Sequence, residues 1–306
     1  YEDIRWCIAC NQGCIDRLVD WEKAGISCLV NPMVGREREM ALTPAPRSKN
    51  VLVVGGGPGG MEAARVAALR GHEVYLHEKE EGLGGQFSLA AIPPCKQEVT
   101  KIINYLSTQI KKAGVKVTLA KEVTEETIAE LQPEVVVIAS GGTPVIPDIP
   151  GINQERVVTA FDVLKGKVTP KPKILVIGGG MIGCETADFL GQLLGYRVTL
   201  VEALPRVAQD VGDATRYLLL GRLAQERATI ITSAPVKRLV EGGAVIERGG
   251  REETLSGFDT IVLAMGVAPV NDLASKIQGK VQEMYLIGDA KQPRKAMDAI
   301  AEAAEI

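Results

Sequence analysis

The sequence predicts an α/β fold of two similar strand-helix units behind a cysteine-rich segment, and three observations carry that expectation. An apolar run enters a glycine-rich turn, a helical pattern and a second strand that ends on an acid, and the whole arrangement occurs twice. The glycines repeat at an offset of 123 residues (Gly55 to Gly178) and the acids at 124 (Glu78 to Glu202). Ahead of both copies, four of the six cysteines lie in the first 28 residues.

Composition sets the limits. A chain of 306 residues leads one to expect about two domains, and 46% hydrophobic residues suffice for two cores. A net charge of -3 gives no reason to expect nucleic acid or an anionic membrane as partner, so a small-molecule substrate is expected. No apolar run reaches the ~18 residues of a membrane span and no secretory leader is seen, which predicts a cytoplasmic protein. A homo-oligomer is compatible with the sequence. The chain opens on Tyr1 and stops at Ile306 inside an alanine-rich helical pattern, so it is expected to be a piece of something longer.

Cys7, Cys10, Cys14 and Cys28 follow the spacing C-x2-C-x3-C-x13-C. Thiolates this close suit a soft metal or an iron-sulfur cluster, and four thiolates also suit structural zinc. Val51 to Val54 then reads as a strand running into Gly55, Gly57 and Gly60, with a helical pattern from Met61 to Leu69 and a strand from Glu73 to Glu78. In this G-x-G-x-x-G pattern the first glycine permits the tight turn, the second lets the backbone approach a pyrophosphate, and the third allows helix and strand to pack closely. The terminal acid is placed to accept hydrogen bonds from a ribose. Strands are expected again at Val115 to Leu119 and at Val135 to Ile138. The second copy has a strand at Ile174 to Ile177, glycines 178, 180 and 183, a helix to Leu194, and a strand from Arg197 to Glu202. Val135 to Pro144 is echoed by Ile261 to Pro269. Two Rossmann-like units imply two dinucleotides.

Gly82-Leu-Gly-Gly-Gln86 follows only the first copy, and Tyr285-Leu-Ile-Gly-Asp-Ala290 stands only near the end. These details resemble the two-dinucleotide flavoproteins of the glutathione-reductase and thioredoxin-reductase type, in which an NAD(P)H domain is inserted into an FAD domain. The implied domains are residues 48–150 with 270–306 for FAD and 151–269 for NAD(P)H, behind a cluster segment at 1–47. By that resemblance FAD would meet Gly55, Gly57, Pro58, Gly59, Gly60, Glu78, Lys79, Gly85, Gln86, Val123, Ala139, Ser140, Gly141, Gly288, Asp289 and Met297. Asp289 would hold the ribitol, and the helix beginning near Lys295 would point its amino terminus at the isoalloxazine. NAD(P)H would meet Gly178, Gly180, Met181, Ile182, Gly183, Glu202, Met265 and Gly266. Glu202 would bond a free 2'-hydroxyl and repel a 2'-phosphate, favouring NADH, while Arg197 and Arg206 keep NADPH open.

Disulfide reductases of that fold use a redox-active cysteine pair, whereas Cys95 and Cys184 stand alone here. With only His72 and His77 for acid-base work, no catalytic side chain is assigned: hydride transfer needs alignment. Arg5-Trp-Cys-Ile-Ala-Cys-Asn-Gln-Gly-Cys14 and Ile26-Ser-Cys-Leu-Val-Asn-Pro-Met-Val-Gly-Arg-Glu37 resemble the NADH:flavin oxidoreductase family of the 2,4-dienoyl-CoA reductase and trimethylamine dehydrogenase type. The resemblance runs to Arg294. It implies that the four cysteines hold a [4Fe-4S] cluster, that hydride passes from NAD(P)H to FAD, and that electrons go on to an FMN-containing TIM barrel absent here, which reduces an enoate or enoyl-CoA. Alternatives are a structural half holding ADP without nicotinamide chemistry, and a reductase like the small subunit of glutamate synthase.

Overall fold

The computed structural model describes residues 1–18 and 25–306 and divides into two compact units. The first comprises 1–91, 98–143 and 268–306, and the second 92–97 and 144–267. Against the sequence boundaries, the cysteine segment belongs to the first unit, residues 144–150 and 268–269 change sides, and 92–97 goes with the second. Among the described residues no helix is long and apolar enough to cross a membrane.

In the first unit a short helix α1 (Ile15–Leu18) follows the third cysteine. The chain then runs through β1 (Asn50–Val54), α2 (Pro58–Leu69), β2 (Glu73–His77) and α3 (Gln86–Leu89). After these come α4 (Thr100–Lys112), β3 (Lys116–Thr118), α5 (Glu125–Leu131), β4 (Val135–Ile138) and β5 (Gly142–Pro144). Helix α2 starts three residues before the predicted Met61, because Pro58 at its first position carries the φ that a helix needs and lacks only an N–H that would have no partner.

The second unit holds β6 (Val157–Thr159), α6 (Ala160–Leu164), β7 (Lys173–Ile177), α7 (Met181–Asp188) and β8 (Arg197–Val201). It continues with α8 (Asp213–Gln225), β9 (Thr229–Ile231) and an antiparallel sheet of β10 (Val236–Val240), β11 (Gly243–Arg248) and β12 (Arg251–Ser256). Then come β13 (Thr260–Leu263) and β14 (Val267–Pro269), which pairs with β5. The helix expected to reach Leu194 is α only to Asp188 and widens to a π-turn over Phe189–Leu193. Asp188 pairs with Arg222 of α8 at 2.8 Å, and a Cβ on Gly191 would lie 2.4 Å from the carboxylate of Glu226, the residue that ends α8, so this turn packs against the end of α8.

The chain returns to the first unit with α9 (Asp272–Ile277), β15 (Glu283–Leu286) and α10 (Ala296–Glu305). The first parallel sheet has the order β15-β4-β1-β2-β3 and the second β6-β13-β7-β8-β9. In each, the glycine-bearing strand is central, and both faces are covered, which is why β1 and β7 are continuous apolar runs. Val51 and Val53 face one core with Met61 and Leu106, while Leu52 and Val54 face another with Ile128 and Ile277. Ile174 and Val176 alternate with Leu175 and Ile177 in the same way. Strand order reverses about β1 and β7, so the crevice beyond their carboxyl ends is where such sheets bind ligands.

Candidate functional site: two glycine cradles and a cysteine loop

The first cradle lies where β1 enters α2. Gly55 has φ +109, and a Cβ there would fall 2.3 Å from the Ala139 carbonyl oxygen, while a Cβ on Gly60 would fall 1.9 Å from that of Gly55. Neither position accepts another residue. A Cβ on Gly57 would meet nothing within 4 Å, so the helix start is open to a ligand. Glu78 is buried, and its two oxygens accept from the amides of Gly56 (2.6 Å) and Glu80 (2.8 Å). The predicted ribose acid thus also braces the glycine turn. Gln86 Nε2 donates to Gly142 O and Asp289 Oδ2, and Asp289 Oδ1 accepts from the Arg294 amide. Burial pushes the Asp289 carboxyl up, against the pull of the Arg294 amide and Gln86. Gly288 donates to Glu302 of α10 at 2.8 Å, and α10 begins after Lys295 as expected. Ser140 Oγ donates to Val270 O, Val123 is buried, Gly141 has φ +73, Gly85 has φ +53 beside Gly57, and Lys79 is exposed.

The second cradle repeats the first contact by contact. Gly178 has φ +103 with the Ala264 carbonyl 2.3 Å from its would-be Cβ, and that of Gly183 would lie 1.8 Å from Gly178 O. Glu202 accepts from Gly179 (2.5 Å) and Leu204 (2.7 Å). The Ala208 amide donates to Gly179 O as the Gly84 amide does to Gly56 O. Met265 is exposed, and Gly266, at φ +92, accepts from the Val145 amide. Gly180 and Ile182 flank the start of α7.

Three side chains there were missed by the sequence reading. Asp210 receives the Met181 amide on both oxygens, at 2.9 and 3.0 Å, and the buried Glu185 pairs with Lys96 at 2.5 Å. Burial pushes the Cys184 thiol up to about 12, with Asp210, Glu185 and Glu202 adding negative charge nearby. Cys184 is an inert core thiol. His72 and His77 are both held below the usual imidazole range by burial, and neither is offered to a substrate: His72 Nδ1 accepts from the Lys49 amide and His77 is 4% exposed.

The cysteine loop is drawn together by its backbone. Ala9 and Asn11 adopt left-handed φ of 52° and 59°, and the Ala9 amide donates to Cys7 Sγ at 3.4 Å. The Ser27 amide donates to Gly13 O at 2.7 Å, which sets Cys28 beside Cys14. Burial pushes the Cys10 thiol up, eased by the Gln12 amide and reinforced by charge on Cys28, Cys14 and Cys7. Among the described residues, however, no group of three or more His, Cys, Asp or Glu side chains is arranged to hold a metal ion. The four cysteines thus share one backbone-closed segment without standing in ligating geometry. Ser27 Oγ reaches Met297 Sδ of α10 at 3.7 Å, and Arg5 bonds Val30 O, Tyr105 Oη and Glu62 of α2, so the loop is fixed to the first cradle's own helices.

Two glycine cradles on two parallel sheets, one unit inserted in the other along the chain, are the fold of the two-dinucleotide flavoproteins. The chain belongs to the pyridine nucleotide-disulphide oxidoreductase family, whose model matches residues 49–303, a family of FAD- and NAD(P)H-binding enzymes. It is 38% identical over 98% of its length to an NADH oxidase of Thermoanaerobacter brockii, covering 46% of that protein. It is 36% identical over its whole length to a cinnamate reductase of Clostridium sporogenes, again covering 46%. A solved 2-naphthoyl-CoA reductase superposes with TM-score 0.94 at 36% identity, over 99% of this chain and 46% of that one. The chain thus spans about half the length of these relatives, and the resemblance to one half of dienoyl-CoA-reductase-type proteins is borne out.

Proposed function

We propose that the chain is the flavin-reducing part of a longer oxidoreductase, with NADH in the second cradle, FAD in the first, and a [4Fe-4S] cluster on Cys7, Cys10, Cys14 and Cys28. The observation that carries this reading is one cradle built twice with the same backbone contacts, in a chain that also carries a four-cysteine loop closed by Ser27 and Gly13. When bound, FAD would supply a hydride acceptor for the nicotinamide, and a [4Fe-4S] cluster held by Cys7, Cys10, Cys14 and Cys28 would supply one-electron transfer toward an FMN-containing barrel elsewhere in the protein. The residues of the chain supply position. Asp289 and Gln86, bonded to each other, offer a half-buried polar pair to the flavin's ribitol side. Glu202, with both oxygens on backbone amides, presents fixed negative charge to a ribose and favours NADH over NADPH. The name of one relative, a cinnamate reductase, supports an enoate as the compound finally reduced, and that of another, a 2-naphthoyl-CoA reductase, supports an unsaturated acyl-CoA thioester.

Anaerobic purification followed by flavin extraction, iron assay and addition of NADH tests the reading. A yellow-brown protein containing FAD, iron and sulfide, bleached by NADH, is the expected result. A colourless protein holding only ADP would overturn it.

A further inference from the structure

We infer that Asp210 guards the second cradle by holding the Met181 amide on which a dinucleotide pyrophosphate would dock. The inference rests on the nucleotide reading above. Met181 opens α7, and amides at a helix start lack intrahelical partners, so they and the helix dipole attract anions. Here the anion is already present as the Asp210 carboxylate, at 2.9 and 3.0 Å, with Oδ2 also 3.3 Å from the would-be Cβ of Gly180.

The first cradle shows what a cradle without such a guard looks like. Leu83 and Val207 touch Gly56 and Gly179 alike, and Gly84 and Ala208 donate to the same two glycines. Continuing that register by two residues places Gln86 opposite Asp210. Gln86 is neutral and bonded away from the helix start, to Gly142 and Asp289, and the residue matching Met181 is Pro58, which has no N–H to hold. The guard is therefore specific to the second cradle. It is also movable: Val207, Ala208 and Val211 are buried and anchor the loop, whereas Asp210 itself is exposed and can turn about its own side-chain bonds.

A nucleotide pyrophosphate must then displace a like charge, which lowers affinity for NADH and NADPH alike. Calorimetric titration of the wild-type protein, Asp210→Asn and Asp210→Ala with ADP-ribose, NADH and adenosine tests this. Asparagine can still accept from the amide but carries no charge. Both variants should bind ADP-ribose and NADH about tenfold more tightly, the equivalent of one charge-assisted hydrogen bond, while adenosine, which has no phosphate, should be unaffected. Equal or weaker ADP-ribose binding by Asp210→Asn overturns the inference and leaves the nucleotide reading standing. Binding seen only in the variants supports the inference. Absence of binding in all three proteins overturns the nucleotide reading and the inference with it.

Discussion

The Ser27 amide donates to the Gly13 carbonyl at 2.7 Å, and this backbone bond joins the segment bearing Cys28 to the loop bearing Cys7, Cys10 and Cys14. The approach leaves no room for a side chain: a Cβ on Gly13 would lie 2.4 Å from Ser27 O and 2.9 Å from the Cys28 amide. Gly13→Ala should therefore separate Cys28 from the other three cysteines. Iron and labile sulfide should be lost while flavin content is kept, and a variant with full iron would sink the assignment of the loop as one site.

Glu62 of α2 is wholly buried and holds two guanidinium groups, Arg65 at 2.8 Å through both oxygens and Arg5 at 3.2 Å. Exchange for Gln keeps the shape but strands the buried Arg65. Removing one partner of a buried ion pair costs about 3 kcal/mol, and thermal unfolding of Glu62→Gln should show a clear fall in Tm. An unchanged Tm would show that Arg65 finds another anion.

Glu226 lies beside Asp188 and Arg222, and burial, then the Asp188 carboxylate through its hydrogen bond and its charge, push the Glu226 carboxyl up to about 8 against the pull of Arg222. Its folded pKa is thus above the ordinary value of 4.5, so the folded chain binds this proton more tightly than the unfolded chain. The resulting stability is complete below pH about 4.5 and is lost as pH rises through 8. Urea midpoints of the wild type should decline across that window relative to Glu226→Gln, and parallel pH profiles would refute the shift.

Glu202→Ala should raise the kcat/KM ratio of NADPH to NADH by removing the charge facing a 2'-phosphate. Because Glu202 also clasps Gly179 and Leu204, absolute affinity for both coenzymes should fall. A ratio unchanged from the wild type would mean that Glu202 only braces the turn.

The strands, both cradles and the pairing of Glu78 with Glu202 were legible because each is a local pattern: apolar runs of strand length, and glycines where any Cβ would strike the neighbouring carbonyl. Misread details had tertiary causes. Helix α7 widens to a π-turn where Arg222 of α8 and Glu226, just past the end of α8, meet it, and residues 92–97 fall in the second unit, where Lys96 meets Glu185.

By itself the sequence determined two glycine-rich strand-helix turns and a cysteine-rich segment, since backbone sterics and short spacings act over a few residues. Only the tertiary structure decided that Arg5 meets Glu62, that Ser27 closes on Gly13, and that Asp210 lies on the Met181 amide. Those partners are separated by 57, 14 and 29 residues, and which distant polar groups meet is settled by how the packed sheets and helices return the chain on itself.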